Sequence, residues 1–335
     1  MLGAAGAIAA VAIWRRSRRL GAVAAELRTP QVWMPVSLFG PRSLSAARRL
    51  VSFAPKSPLA DGVTLRNEHI AVAGDDRPDV RVLIYEPSSR TRPSGALLWF
   101  HGGGLVMGTP EQVEGLCSRI AVDLGIVVVS VDYRLAPEHP FPAGLDDCYS
   151  ALEWVHARSK ELGIDTTLVA VGGDSSGGGL AACVAQMTVD RSGPPVCFQL
   201  LQYPMLDDRT PVRSGHDAVV WTARSNRWAW QAYLGRPATA SGAAPAPEAP
   251  PYASAARRDD LAGLAPAWIG VGDIDLFHDE CVEYAARLAA AGVECALHVD
   301  PGMYHGAETV MPDAPSMKAF LDRLVTALGS ALDSK

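Results

Sequence analysis

The sequence predicts an α/β protein built on a mostly parallel sheet with helices on both faces. Two observations carry this. Short, nearly continuous apolar runs recur along the chain: ALLWF (96–100), GIVVVSVDY (125–133), LVAVGG (168–173), CFQLLQYP (197–204), AWIGVGD (267–273) and CALHVD (295–300). Helical stretches separate them, near 110–124, near 142–159, directly after Ser175, near 279–291 and near 313–332. Strands buried on both faces lose the in/out alternation and read as unbroken Val, Ile and Leu, and parallel pairing needs a long crossover between each pair. With 335 residues, 48% of them hydrophobic and 20% charged, the chain suffices for one large domain with an elaboration or for two modest ones.

From the N-terminus, residues 1–55 read as helical, with breaks at Pro30, Pro35 and Pro41. The opening stretch MLGAAGAIAAVAIW is apolar, and Arg15, Arg16, Arg18 and Arg19 come directly after it. A secretory signal places its basic residues first, so the polarity is reversed, and the stretch is short for a membrane span. The expectation is a helix that packs on the protein or touches a membrane surface, its arginines facing solvent or anionic headgroups. EHIAVAG (68–74) and VRVLIYEP (80–87) read as a β pair ahead of the strand–helix rhythm. The rhythm breaks between about 205 and 262, where a short aromatic helix precedes a Pro/Ala-rich loop, RPATASGAAPAPEAPPYAS. An insertion there is a natural lid over one edge of the sheet.

The totals narrow the function. A net charge of −6 argues against a nucleic-acid partner, which favours a basic face. The six cysteines are scattered, without a C-x-x-C pair or a histidine at zinc spacing, and read as buried reduced thiols of a cytosolic protein.

Ligands of open parallel sheets bind beyond the carboxyl ends of the strands. The residues at those ends are therefore informative. ALLWF leads into His101-Gly102-Gly103-Gly104, LVAVGG into Asp174-Ser175-Ser176-Gly177, AWIGVG into Asp273-Ile274-Asp275, and CALHVD into Pro301-Gly302-Met303-Tyr304-His305-Gly306. G-x-S-x-G between a strand and a helix forces the serine into a strained turn that exposes its hydroxyl. A phosphate loop is excluded, because no G-x-x-x-x-G-K-[ST] is present. A plain tight turn remains the bland alternative for this motif alone. The glycine run lets backbone N–H groups approach a developing oxyanion, and Gly102, Gly103 and Ser176 are the expected donors. His101 reads as a residue that shapes this loop. A serine nucleophile needs a base, and among eight histidines His305 is the best placed. Asp273 and Asp275 compete to orient it, with Asp279 a weaker third; the order Ser…Asp…His suits a hydrolase of this topology.

Together FHGGGLVMG, VDYRLAPEHPFPAGLDDC, GGDSSGG, GDIDLFHDE and PGMYHG resemble the bacterial hormone-sensitive-lipase family (family IV) of carboxylesterases, within the α/β-hydrolase superfamily. The resemblance covers roughly residues 80–330. It implies an α/β-hydrolase fold with a helical cap, and an esterase or lipase acting through a Ser175–Asp275–His305 triad with no metal or organic cofactor. Its pattern aligns the acid with Asp275 and leaves Asp273 a neighbour. Three departures stand out: Leu276 where proline is usual, Ser176 where alanine is common, and Ala307 near the position of a frequent phenylalanine. The implied organisation is an N-terminal segment, 1–55, contributing to the cap, and a catalytic domain, 56–335, with the cap insertion at about 206–255. Trp221, Trp228, Trp230 and Tyr233 become candidates for the acyl pocket or for the cap's own core. The expected substrates are short- to medium-chain acyl esters. An amidase or acyltransferase with the same triad, or a non-catalytic binding protein on the same fold, is the alternative. Homodimerisation and peripheral membrane contact through the N-terminus are compatible with this reading.

Overall fold

The structure is a computed structural model that describes residues 21–30, 43–53, 57–71, 79–210, 219–236 and 248–333. His216, the basic cluster at 15–19 and much of the two expected cap segments lie outside the described residues.

Eight strands form one sheet in the order β1-β2-β4-β3-β5-β6-β7-β8. They are β1 (Val63–Ile70), β2 (Val80–Pro87), β3 (Ser94–Phe100), β4 (Val127–Asp132), β5 (Ile164–Asp174), β6 (Phe198–Gln202), β7 (Ala267–Gly272) and β8 (Cys295–Asp300). β1 and β2 pair antiparallel, β2 pairs antiparallel with β4, and every pair from β4 through β3 to β8 is parallel. The apolar runs sit where their composition demands, since β3, β6 and β7 are buried at every position. β1 differs from the expected EHIAVAG, starting and ending earlier. Thr64, Arg66 and Glu68 belong to it because it lies at the sheet's edge and registers residue by residue against β2 from Val63↔Pro87 to Ile70↔Val80. An edge strand with one wet face carries no continuous apolar run.

The described helices are α1 (Leu44–Ser52), α2 (Glu114–Leu124), α3 (Ala143–Ala157), α4 (Ser159–Leu162), α5 (Ser176–Asp190), α6 (Ala223–Tyr233), α7 (His278–Ala290), α8 (Ala307–Val310) and α9 (Pro315–Asp333). α2 and α9 pack together on one face of the sheet, and α3 and α5 on the other, where Gln186 of α5 also bonds Tyr284 of α7 at 3.2 Å. α5 is buried along almost its whole length, which its run of Gly, Ala and Val permits: small side chains let the helix axis approach the sheet. The single core runs through both layers and includes Trp99, Phe100, Tyr133, Trp268, Phe277 and Phe320. All six cysteines are free thiols, five of them buried. Among the described residues no helix is long and apolar enough to cross a membrane.

Candidate active site

The elbow between β5 and α5 holds Ser175 at φ 55° and ψ −119°, a conformation that L residues adopt only under constraint. Three backbone hydrogen bonds supply the constraint. Ser175 N–H donates to Gln202 O at 2.8 Å, while its carbonyl accepts from Gly179 N at 3.1 Å and from Met205 N at 2.9 Å. Gly177 is demanded by close approach, since a Cβ there would lie 1.9 Å from the Phe100 carbonyl oxygen.

Ser175, His305 and Asp275, on loops after three different strands, converge. His305 Nε2 lies 2.9 Å from Ser175 Oγ, and its Nδ1 lies 2.8 Å from Asp275 Oδ2. All three side chains are buried. In neutral His305 the proton sits on Nδ1, because a carboxylate only accepts, and Nε2 then accepts the serine hydroxyl. Asp275 is held in turn by the Phe277 N–H on Oδ1 at 2.9 Å. The imidazole is clamped edge-on between Tyr203, with ring centroids 4.7 Å apart, and Phe277, at 5.0 Å. Burial lowers the basicity of His305, but the Asp275 carboxylate foremost, together with Glu308 and Asp174, outweighs it and holds the imidazole above its ordinary pKa. Asp273 does other work: its Oδ1 accepts the Gly302 N–H at 2.7 Å and fixes the turn that delivers His305.

The glycine loop departs from the sequence expectation in one respect. Gly102 N–H donates to Asp174 Oδ2 at 3.0 Å, so it is already committed and does not face the space above Ser175 as a donor. The N–H groups of Gly103, Gly104 and Ser176 have no hydrogen-bond partner among the described residues. Gly103 and Gly104 take φ of 122° and 65°. The reason the first glycine drops out is three-dimensional: β3 and β5 are adjacent, and their ends bring Asp174 under the loop. Asp174 also accepts Trp99 Nε1–H at 3.2 Å; burial and the nearby Glu308 push its carboxyl up to about 7, against the lowering effect of these donors. His101 shapes the loop as expected, with Nδ1 2.8 Å from Gly102 O and its ring stacked on Tyr133 at 4.3 Å.

Trp221 is buried and its ring presses against the loop, so closely that a Cβ on Gly104 would meet it at 2.4 Å. Its Nε1 donates to Asn226 Oδ1 at 3.1 Å. Trp228 is half-buried and packs on the core, as do the buried Trp230 and Tyr233. Sequence reasoning missed Gly104, Asp174, and the buried Tyr203–Glu308 pair, in which Tyr203 donates its hydroxyl to Glu308. Of these, Asp174, inside the elbow motif, and Gly104, the last of the glycine run, left a trace in the sequence; the Tyr203–Glu308 pair left none. Among the described residues no cluster of three or more His, Cys, Asp or Glu side chains is arranged to hold a metal ion.

An eight-stranded, mostly parallel sheet with a serine elbow after the fifth strand defines the α/β-hydrolase class. Comparison with known proteins agrees. Residues 97–309 match the family described as the alpha/beta hydrolase fold. Esterase LipI of Mycobacterium tuberculosis is 37% identical over 273 residues, 78% of this chain and 81% of that one. The ethyl acetate hydrolase of Pseudomonas putida is 35% identical over 67% of this chain and 70% of its own. Among solved structures, a bacterial heroin esterase superposes with a TM-score of 0.83 at 35% identity, covering 93% of this chain and 99% of the other. The chain belongs to the α/β-hydrolase family, on its esterase branch.

Proposed function

We propose that this protein hydrolyses short- to medium-chain carboxylic esters with Ser175 as nucleophile, His305 as general base and acid, and Asp275 as the group that orients it. The observation that carries this reading is the unbroken hydrogen-bonded path from Asp275 through His305 to Ser175, buried beneath the glycine loop. Ser175 Oγ attacks the ester carbonyl carbon as its proton passes to His305 Nε2. The carbonyl oxygen becomes an oxyanion, stabilised by the N–H groups of Gly103, Gly104 and Ser176. Collapse of this intermediate breaks the bond to the alkoxy group, which takes the proton from His305 and leaves as the alcohol. Water, deprotonated by His305, then attacks the acyl-enzyme, and the carboxylic acid departs as Ser175 regains its proton. Asp275 keeps the imidazole in the productive tautomer and stabilises the imidazolium formed in both halves.

The similarity to an ethyl acetate hydrolase supports small acyl groups as substrates. Of Trp221 and Trp228 as pocket walls, Trp221, beside Gly104, is the stronger candidate and Trp228 the weaker. We assign residues 1–55 and about 206–255 to a cap over a catalytic domain that otherwise spans 56–335. Six free thiols support a reducing, cytoplasmic setting. Leu50 and Phe53, 76% and 83% exposed, support contact of the N-terminal region with a lipid surface. Homodimerisation belongs to the same proposal, and sedimentation checks it.

The test is a panel of p-nitrophenyl esters of increasing acyl length, matched anilides, and alcohols as alternative acyl acceptors. Fastest turnover on short or medium esters supports the proposal. Preference for anilides or for acyl transfer favours an amidase or acyltransferase instead, and no turnover on any of them favours a binding protein.

A further inference from the structure

We infer that Arg48, on helix α1, is a positioning residue for ester hydrolysis: its guanidinium fixes the peptide planes that aim the Gly104 N–H. The inference rests on the ester-hydrolase reading.

Arg48 is anchored on four acceptor atoms from two loops. Nε donates to Val106 O at 2.8 Å and Nη2 to Ala136 O at 2.9 Å, while Nη1 and Nη2 grip Glu138 Oε1 and Oε2, each at 2.8 Å. α1 itself is seated by Leu44 and Ala47, both buried in the core. The bidentate contact with Arg48 holds the Glu138 carboxyl below its ordinary range.

The path from Arg48 to Gly104 runs through two peptide planes. A peptide unit is rigid, with its C=O and N–H pointing in opposite directions. The Val106 carbonyl that Arg48 holds shares a plane with the Met107 N–H, which donates to Gly103 O at 3.2 Å. The Gly103 carbonyl in turn shares a plane with the Gly104 N–H. Holding Val106 O toward α1 therefore turns Met107 N–H onto Gly103 O, and Gly103 O held there turns Gly104 N–H to the opposite side. The intervening plane is fixed too: Leu105 O accepts Ala136 N at 3.0 Å, and Val106 N–H donates to Gly103 O at 3.3 Å. Because Arg48 also binds Ala136 O, one side chain ties both loops together.

This turn needs holding. Leu105 has a φ of 66° without being glycine, alongside Gly103 and Gly104 at positive φ, so its segment sits in a sparsely populated conformation that surroundings must enforce. The positive charge of Arg48 also polarises the Val106–Met107 peptide, strengthening the Met107 N–H as a donor. Lysine cannot reproduce the arrangement, because a point charge lacks the planar fork that reaches Val106, Ala136 and Glu138 together.

The experiment measures kcat, KM and thermal melting for wild type, Arg48→Met, Arg48→Lys and Glu138→Gln on p-nitrophenyl acetate, with the inhibition constant of a trifluoromethyl ketone. That inhibitor adds to the serine and leaves an oxyanion in place of the intermediate, so it reads the donors directly. For Arg48→Met, kcat falls about 10-fold with KM within about twofold, and the ketone weakens about 10-fold in parallel. This is a part of the roughly 100- to 1000-fold loss when a donor is removed outright. Arg48→Lys and Glu138→Gln show the same pattern at about threefold. Arg48→Met with kcat and ketone inhibition within twofold of wild type overturns the inference, as does a loss confined to KM. If Arg48→Met does not fold, the other two variants decide: unchanged kcat and inhibition in both overturns it. A wild type that turns over no ester strikes at the ester-hydrolase reading; an active wild type with an unaltered Arg48→Met strikes only at Arg48.

Discussion

Gly102 and Asp174 are joined by a 3.0 Å hydrogen bond from the glycine N–H to the carboxylate, so the residue preceding the nucleophile also anchors the loop above it. Asp174→Ala removes that acceptor and the one used by Trp99 Nε1. The loop then loses its fixed distance from Ser175. We predict a fall in kcat of about 10- to 100-fold with KM within about threefold, the pattern of lost alignment. Steady-state kinetics of the purified variant check it, and an unchanged kcat contradicts it.

Gly104 carries a second prediction. Its φ of 65° disfavours any side chain, and an alanine Cβ there would sit 2.4 Å from the Trp221 ring. Gly104→Ala must move the tryptophan or the loop. It should cost about 1–3 kcal/mol of stability and at least about 10-fold in kcat. Chemical denaturation and ester turnover measure the two effects. A Trp221→Ala background should return part of the stability by opening the space.

The paired serines should behave unlike each other. Ser176 is proposed to act through its backbone N–H, so Ser176→Ala is expected to stay within about threefold of wild-type kcat. Gly177→Ala sets a Cβ 1.9 Å from the Phe100 carbonyl oxygen and should destabilise by about 4 kcal/mol or more, read as a large drop in melting temperature or loss of soluble protein.

His305 sets the pH dependence. Its imidazole is held above the ordinary value, with burial opposing and Asp275 prevailing. The general base must be neutral, so kcat/KM should rise through a midpoint above about 6.5. Asp275→Asn should move that limb toward lower pH and reduce the plateau about 10⁴-fold. The sign for stability is the reverse of that for activity. A folded-state pKa raised above the unfolded value contributes stability fully below about 6.5, lost as pH rises through the folded value. The enzyme should therefore be most active where this contribution has gone, as paired melting and rate profiles will show.

The sheet was legible because β3, β6, β7 and the second half of β5 are flanked by sheet and helices, and strands buried on both faces are predominantly apolar. The pairing Ser175–His305–Asp275 was legible because each residue comes after a strand, and parallel strands end at one edge. Choosing Asp275 over Asp273 needed the family pattern, because both come after β7 and only geometry gives one to His305 and the other to Gly302. The proposed donors Gly103 and Gly104 were not legible as a pair. HGGG presents three equivalent letters, and only the proximity of Asp174 across β3 and β5 removes Gly102. Likewise only the Glu68–Ile70 end of β1 was legible, because this partly exposed edge strand mixes Thr64, Arg66, Asn67 and Glu68 with its apolar residues, and Arg48 looks in sequence like any helix-surface arginine.

The central claim is that Ser175, activated by His305, is the nucleophile. The most direct measurement is labelling with a fluorophosphonate and peptide mapping of the adduct, alongside ester turnover by wild type and Ser175→Ala of matching circular dichroism. The account predicts one label, on Ser175, with turnover lost in proportion to labelling and at least about 10⁴-fold lower in the variant. A label on another residue, or a folded Ser175→Ala that turns over esters at the wild-type rate, would contradict it.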